Sequence, residues 1–225
     1  MADFLLYYET IQDYDKNHID KGATPSIIYK ICSCIRETFC LSYGIRKNNN
    51  LYIFIQVKKV LIKFIGNELR YLGPDERSQS LLLNKALEKA RDKSNIKSDD
   101  WTESTPGIQV RNLYDINSFL LFLNSLNSQR LIFICDPIYL YEMPFLYHMF
   151  DLPKIKKFEQ LKHFKESFYF FPSNNQVLSE FLKSLVHIYP SMLELVTLVP
   201  LKKIKVVEDK ILYVDFQIDQ LGSIK

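Results

Sequence analysis

The segment Gly73-Pro74-Asp75-Glu76-Arg77 is where residue types and spacing first point to chemistry. A helix start there would place unbonded backbone N–H groups beside a carboxylate and a guanidinium. Two readings fit. Asp75 caps the helix and Arg77 pairs with a nearby carboxylate. Alternatively, Arg77 holds an RNA phosphate or another anion through its planar fork of donors. Local pattern favours the first reading, because short motifs match by chance.

Arg36, Arg46 and Lys47 form a second group, which Arg111 would extend from just after Thr105-Pro106-Gly107. Cations so placed are either a solvated face or a grip on an RNA backbone. His18, His148, His163 and His187 lack ligand spacing, so no metal site is expected. There is no Ser-His-Asp or Cys-His grouping and no Gly-x-Gly-x-x-Gly loop. Cys32 and Cys34 point to different sides of a helix, and with Cys40 and Cys135 they read as reduced, buried thiols.

The elements that would position these residues can be read from periodicity. Residues 3–9 suit a strand and 13–23 a loop. Thr24 can cap a helix opened by Pro25, with Ile28, Ile31, Cys32, Ile35 and Phe39 on one face and Gly44 at its end. Leu51–Val57 suits a strand. Val60–Ile65 and Glu68–Leu72 suit a hairpin around Gly66-Asn67. A helix is expected from Asp75 to about Lys93, a polar connection over Ser94–Asp100, and a short helix over Asn117–Leu126. Leu131–Cys135 and Phe168–Phe171 are continuous apolar runs, as in strands buried on both faces. Asn174 or Asn175 can cap a further helix. Ile204–Val207 and Ile211–Phe216 suggest a terminal hairpin. The alternation predicts an α/β fold, a mainly parallel sheet with helices on both faces. The expected division is a domain over 1–190 and a C-terminal extension over 191–225.

The chain has 225 residues, 47% of them hydrophobic, enough for one sizeable core. A net charge of +3 excludes a strongly basic coat but not a local patch. The 14 Tyr and 16 Phe read mainly as core. No apolar stretch reaches the ~20 residues of a membrane helix, and the N-terminus lacks a secretion signal. A cytoplasmic protein is expected.

Three blocks carry a resemblance: CSCIRETFCLSYGIRK from Cys32, LIKFIGNELRYLGPDER from Leu61 and WTESTPGIQVRNL from Trp101. In order and spacing they resemble the archaeal tRNA pseudouridine-54 N1-methyltransferases (TrmY), a branch of the SPOUT methyltransferases. The resemblance implies a SPOUT-like sheet with a C-terminal trefoil knot, a homodimer, and S-adenosylmethionine bent against the knot loops. It implies methyl transfer to N1 of a pseudouridine in the tRNA T arm. It would place the cofactor at Ile134, Cys135, Asp136, Phe171 and Pro172, and tRNA at Arg36, Arg46, Arg77 and Arg111. Asp75 and Arg77 are then the candidates for orienting the base. The chain departs from the family in three places. Ser26-Ile27-Ile28-Tyr29 stands where the family has Gly-Arg-(Leu or Met)-Asp. Cys135-Asp136-Pro137 replaces a Gly-Asp-His-Gly-like turn, and Phe171-Pro172-Ser173-Asn174 replaces a Ser-Leu-Ser-Pro-like loop. Glycines let a ligand approach backbone closely. The alternative is therefore a catalytically degenerate homologue, a tRNA-binding or protein-interaction module. Its partner surfaces would include the aromatic-rich segment from Tyr139 to Lys165.

Overall fold

The computed structural model describes residues 2–92, 100–126, 130–135, 157 and 167–223. In chain order the first elements are β1 (Ala2–Tyr8), α1 (Lys16–Asp20), α2 (Ser26–Phe39), β2 (Cys40–Leu41), β3 (Gly44–Ile45), β4 (Asn49–Ile55) and β5 (Val60–Ile65). Then come α3 (Glu76–Arg91), β6 (Thr102–Thr105), β7 (Ile108–Asn112), α4 (Ile116–Ser125), β8 (Arg130–Cys135) and β9 (Ser167–Pro172). Last are α5 (Asn175–Ile188), a 3-10 turn (Pro190–Leu195), β10 (Val196–Pro200) and α6 (Val207–Ser223).

Eight strands form one sheet in the order β10-β8-β9-β1-β4-β5-β7-β6. The first five are parallel neighbours. The remaining three run antiparallel. The expected pairing of Leu131–Cys135 with Phe168–Phe171 is present, with Leu131 opposite Phe168.

Alternation along the strands sorts the side chains into two cores. Phe4, Leu6, Ile53, Ile62, Ile132 and Phe171 pack against α2, α3 and α6. Leu5, Tyr7, Phe54, Phe133 and Phe170 face the other way, against α4 and α5. This second core holds much of the aromatic content. Phe54 and Phe119 stack with centroids 4.0 Å apart, and Phe181 meets Tyr7, Phe119, Phe133 and Phe170.

Five expectations from sequence are corrected. Residues 16–20 are a helix, because the Asp15 side chain accepts the His18 backbone N–H and the His18 ring accepts the Asp15 backbone N–H. Thr24 does not cap α2. The cap position is Pro25, which makes no side-chain bond there, and α2 ends at Phe39, so Gly44 does not terminate it. Gly66-Asn67 is not a hairpin turn: β5 pairs with β4 through residues 56–59, where Lys59 has φ 55°. Gly66 is instead a crossing point, since a Cβ there would lie 2.4 Å from the Asn49 carbonyl oxygen and 2.5 Å from that of Arg46. The terminal hairpin is absent. Val207–Ser223 is helical, and β10 joins the main sheet beside β8.

Most of Ser94–Asp100, together with Asp136 and nearly all of Tyr139–Lys165, falls outside the described residues. Among the described residues no helix is long and apolar enough to cross a membrane. None of their His, Cys, Asp or Glu side chains group as three or more to hold a metal ion.

Candidate functional site

Strand order places a crevice between β1 and β9. The chain leaves β1 towards α2 on the first face and leaves β9 towards α5 on the opposite face. In open α/β sheets, ligands bind outside the carboxyl ends of strands where the crossover sense changes in this way. A cavity of ≈ 200 Å³ lies there. Tyr8 ends β1 and Ser173 follows β9. Ile27 and Lys30 come from the first turns of α2, and Lys205 to Glu208 from the entry to α6.

Tyr8 is 5% exposed, and its side chain lines the cavity. Burial raises its pKa well above the ordinary tyrosine value, with smaller contributions from Cys34 and Glu208. It therefore stays a protonated donor at neutral pH. The entry to α6 has Val206 before its first turn, so that residue offers no side-chain oxygen to the first N–H groups.

The helix that closes this cavity is pinned by a buried carboxylate. Asp215 on α6 is 1% exposed and accepts from Asn49 Nδ2 at 2.8 Å. The same Asn49 amide donates to the Thr38 carbonyl at 3.0 Å. Arg46 Nη1 donates to Asp219 at 2.7 Å, while its Nε stands 3.9 Å from Asp215. Burial pushes the Asp215 pKa up to about 7, against the opposing pull of Arg46 and Asn49.

The residues singled out in the sequence lie in several places. Asp75 is the N-cap of α3, and its Oδ1 accepts the Ser78 N–H at 2.8 Å. It sits by Gly73 and Cys40, past the end of α2, whereas the cavity is at the start of that helix. Fourteen residues of helix span about 20 Å. Asp75→Ala is expected to cost about 1 kcal/mol of stability, measurable by urea denaturation, as a lost cap. Arg77 donates to Asp20 and Arg36 to Glu37. Arg111 does not extend their patch: its guanidinium lies 5.9 Å from the Phe122 ring, on the opposite face of the sheet.

Ile134, Cys135 and Phe171 are each 1% exposed, and Pro172 is also buried. Their side chains are core, so only main chain at the strand ends is available to a ligand. Part of that is used: the Cys135 carbonyl accepts from Leu201 at 3.0 Å, and Ser173 N–H donates to Tyr7 at 2.9 Å. The four cysteines form no disulfide: Cys32, Cys34 and Cys135 are buried, and Cys40 is half-buried. Ser173 lies in the segment that replaces the family's Ser-Leu-Ser-Pro-like loop, whereas no local pattern singles out Tyr8, Lys30, Lys205 or Glu208 as site residues. Only strand order brings them together.

The model of a family described as "Putative SAM-dependent RNA methyltransferase" matches residues 12–129, just over half of the chain. The chain belongs to this family. Among curated relatives, it is 35% identical over 108 residues to the tRNA (pseudouridine(54)-N(1))-methyltransferase of Methanocaldococcus jannaschii, covering 47% of this chain and 53% of that protein. It is 38% identical over 115 residues to the Methanosarcina acetivorans protein of the same name, covering half of each. The Haloferax volcanii protein of that name is 33% identical over 104 residues, covering 46% and 50%. The chain thus spans about half the length of the curated relatives it matches.

Within the SAM-dependent RNA methyltransferase family match fall α2, α3 and the Thr-Pro-Gly loop, with Ile27 and Lys30 of the cavity. Strands β8, β9 and β10 and the α6 wall lie beyond it. The family's description implies S-adenosylmethionine. The cavity is smaller than the ~300–1,000 Å³ of pockets that enclose a drug-sized ligand. It fits part of that molecule, with donors from Tyr8, Ser173 and two lysines and an acceptor in Glu208.

Proposed function

We propose that the chain is a tRNA methyltransferase that transfers a methyl group from S-adenosylmethionine to N1 of a pseudouridine in the T arm. The supporting observation is the family match over residues 12–129, joined to a cavity at the crossover point of the sheet whose lining includes two lysines, a glutamate, a tyrosine and a serine. The cofactor supplies an electrophilic methyl. The protein's part is then mainly to hold the acceptor nitrogen in line, and orientation alone can be worth ~7–11 kcal/mol. The cavity lies at the first turns of α2, beside Ser26-Ile27-Ile28-Tyr29, where the resemblance would put the family's Arg and Asp. Arg36 and Arg77, about half exposed, would meet tRNA phosphates at the edge of the same helical layer. The reading includes a C-terminal knot, a homodimer and a cytoplasmic location.

A second reading is favoured by one observation: Cys135, Phe170, Phe171 and Pro172 are closed in the core where a cofactor cleft was expected. In that reading the chain binds tRNA or protein without catalysis. Calorimetry with S-adenosylmethionine separates the two. Binding at micromolar to submillimolar cofactor, followed by methyl incorporation into a pseudouridine-containing T-arm stem-loop, is the expected result. No heat at millimolar cofactor would leave the second reading.

A further inference from the structure

We propose that the cavity between β1, β9, α2 and α6 receives an α-amino-acid head group, the methionyl end of S-adenosylmethionine. The inference rests on the methyltransferase reading and adds which end of the cofactor this chain's own residues hold. The lining is electrically mixed: Lys30 and Lys205 bring positive charge and Glu208 brings negative charge. A phosphate would meet Glu208 as a repulsive wall, whereas a zwitterion uses both signs. Its carboxylate accepts from the lysines and from Tyr8 and Ser173, and its ammonium faces Glu208.

Tyr8 is the observation that points to a ligand. The residue is only 5% exposed, yet its hydroxyl is not among the sealed-off side-chain atoms that lack a partner, which leaves it open to the cavity that Tyr8 lines. A bound carboxylate would replace water as its acceptor. The α6 entry adds the first-turn N–H groups of a 17-residue helix, aligned with a dipole that favours negative charge. The size agrees: ≈ 200 Å³ suits an amino-acid tail and not the whole nucleoside.

The test compares calorimetric affinities of the full chain for S-adenosylmethionine and for 5′-methylthioadenosine, which lacks the amino-acid end. L-methionine is the third probe. The wild type should prefer S-adenosylmethionine over methylthioadenosine by roughly ten- to hundredfold, with weak competition by L-methionine. Tyr8→Phe, Lys205→Gln and Glu208→Gln should each shrink that preference and leave methylthioadenosine binding unchanged. Lys205 is exposed and Glu208 is only half-buried, so these two variants should keep the wild-type fold, with thermal unfolding as the check. Equal affinity for the two nucleosides, or equal losses for both in the variants, would overturn the proposal while leaving the methyltransferase reading intact. A Glu208→Gln variant that binds the cofactor more tightly would also overturn it, since that is the sign expected of a purely anionic site. Absence of binding by either nucleoside would overturn the methyltransferase reading, and this one with it.

Discussion

Gly107→Ala is expected to destabilise the protein by roughly 3–5 kcal/mol. Gly107 has φ +81°, a region that alanine enters only at a cost. A Cβ there would also lie 2.5 Å from Leu69 N and 2.6 Å from Glu68 C, both backbone atoms that no rotamer change can move aside. The surrounding bonds leave little slack. Ile65 N–H donates to the Gly107 carbonyl at 2.8 Å, and the Glu68 and Leu69 N–H groups both return to the Ile65 carbonyl. Gly22→Ala is the matching control. It has φ +65° but nothing within 4 Å of the added carbon, so it carries only the backbone term, about 1–2 kcal/mol. Urea denaturation of the two variants isolates the close approach as their difference. Equal losses would show that the β6–β7 turn does not press on residues 68–69.

Asp215→Asn is expected to raise stability at pH 8 by roughly 1–3 kcal/mol, although it deletes a carboxylate near an arginine. The folded-state pKa of Asp215 is about 7, against 3.8 for the free group. Between those values the folded chain keeps a proton that the unfolded chain has lost. Stability therefore falls as pH rises from about 4 to about 7 and stays lower above that. At about 1.36 kcal/mol for each pH unit, the upper limit is roughly 4 kcal/mol. The unfavourable sign follows from geometry: Arg46 Nε is 3.9 Å from Asp215 Oδ2, and neither atom has a hydrogen-bond partner. Asparagine keeps an acceptor for the Asn49 amide without the buried charge, and Arg46 keeps Asp219. Denaturation at pH 5 and pH 8 tests this. The variant should lose the decline attributable to Asp215, and a variant less stable than wild type at pH 8 would refute it. Because α6 also walls the cavity, ligand affinity should be steadier with pH in the variant.

These two sites differ in how far the sequence reveals them. The Thr105-Pro106-Gly107 loop stands out as a motif, yet its reason, the pressure of Leu69 backbone on Gly107, joins residues far apart in the chain. Asp215 gives no signal at all. It lies in a run, Ile211 to Phe216, whose apolar character suggested a strand. In the folded chain Ile211 and Val214 are buried, Lys210 and Asp215 are buried with them, and Leu212 and Phe216 are exposed. A helical stripe that mixes charged with apolar residues has no clean period for sequence reading to detect.

The sequence by itself determined the elements whose local chemistry agrees with their burial. The apolar runs of β8 and β9, the stripes of α2 and α5, and the Asp75 and Asn174 caps are of this kind, because periodicity and capping act within a few residues. It also determined the family, since the three blocks lie within or beside the matched segment. Tertiary structure alone decided the terminal helix, the crossing at Gly66 and the cavity. The cavity is assembled from the ends of β1 and β9, the start of α2 and the entry to α6. Those segments are up to 200 residues apart in the chain, from Tyr8 to Glu208, and they meet only because the sheet places β9 beside β1 and folds α6 back onto α2.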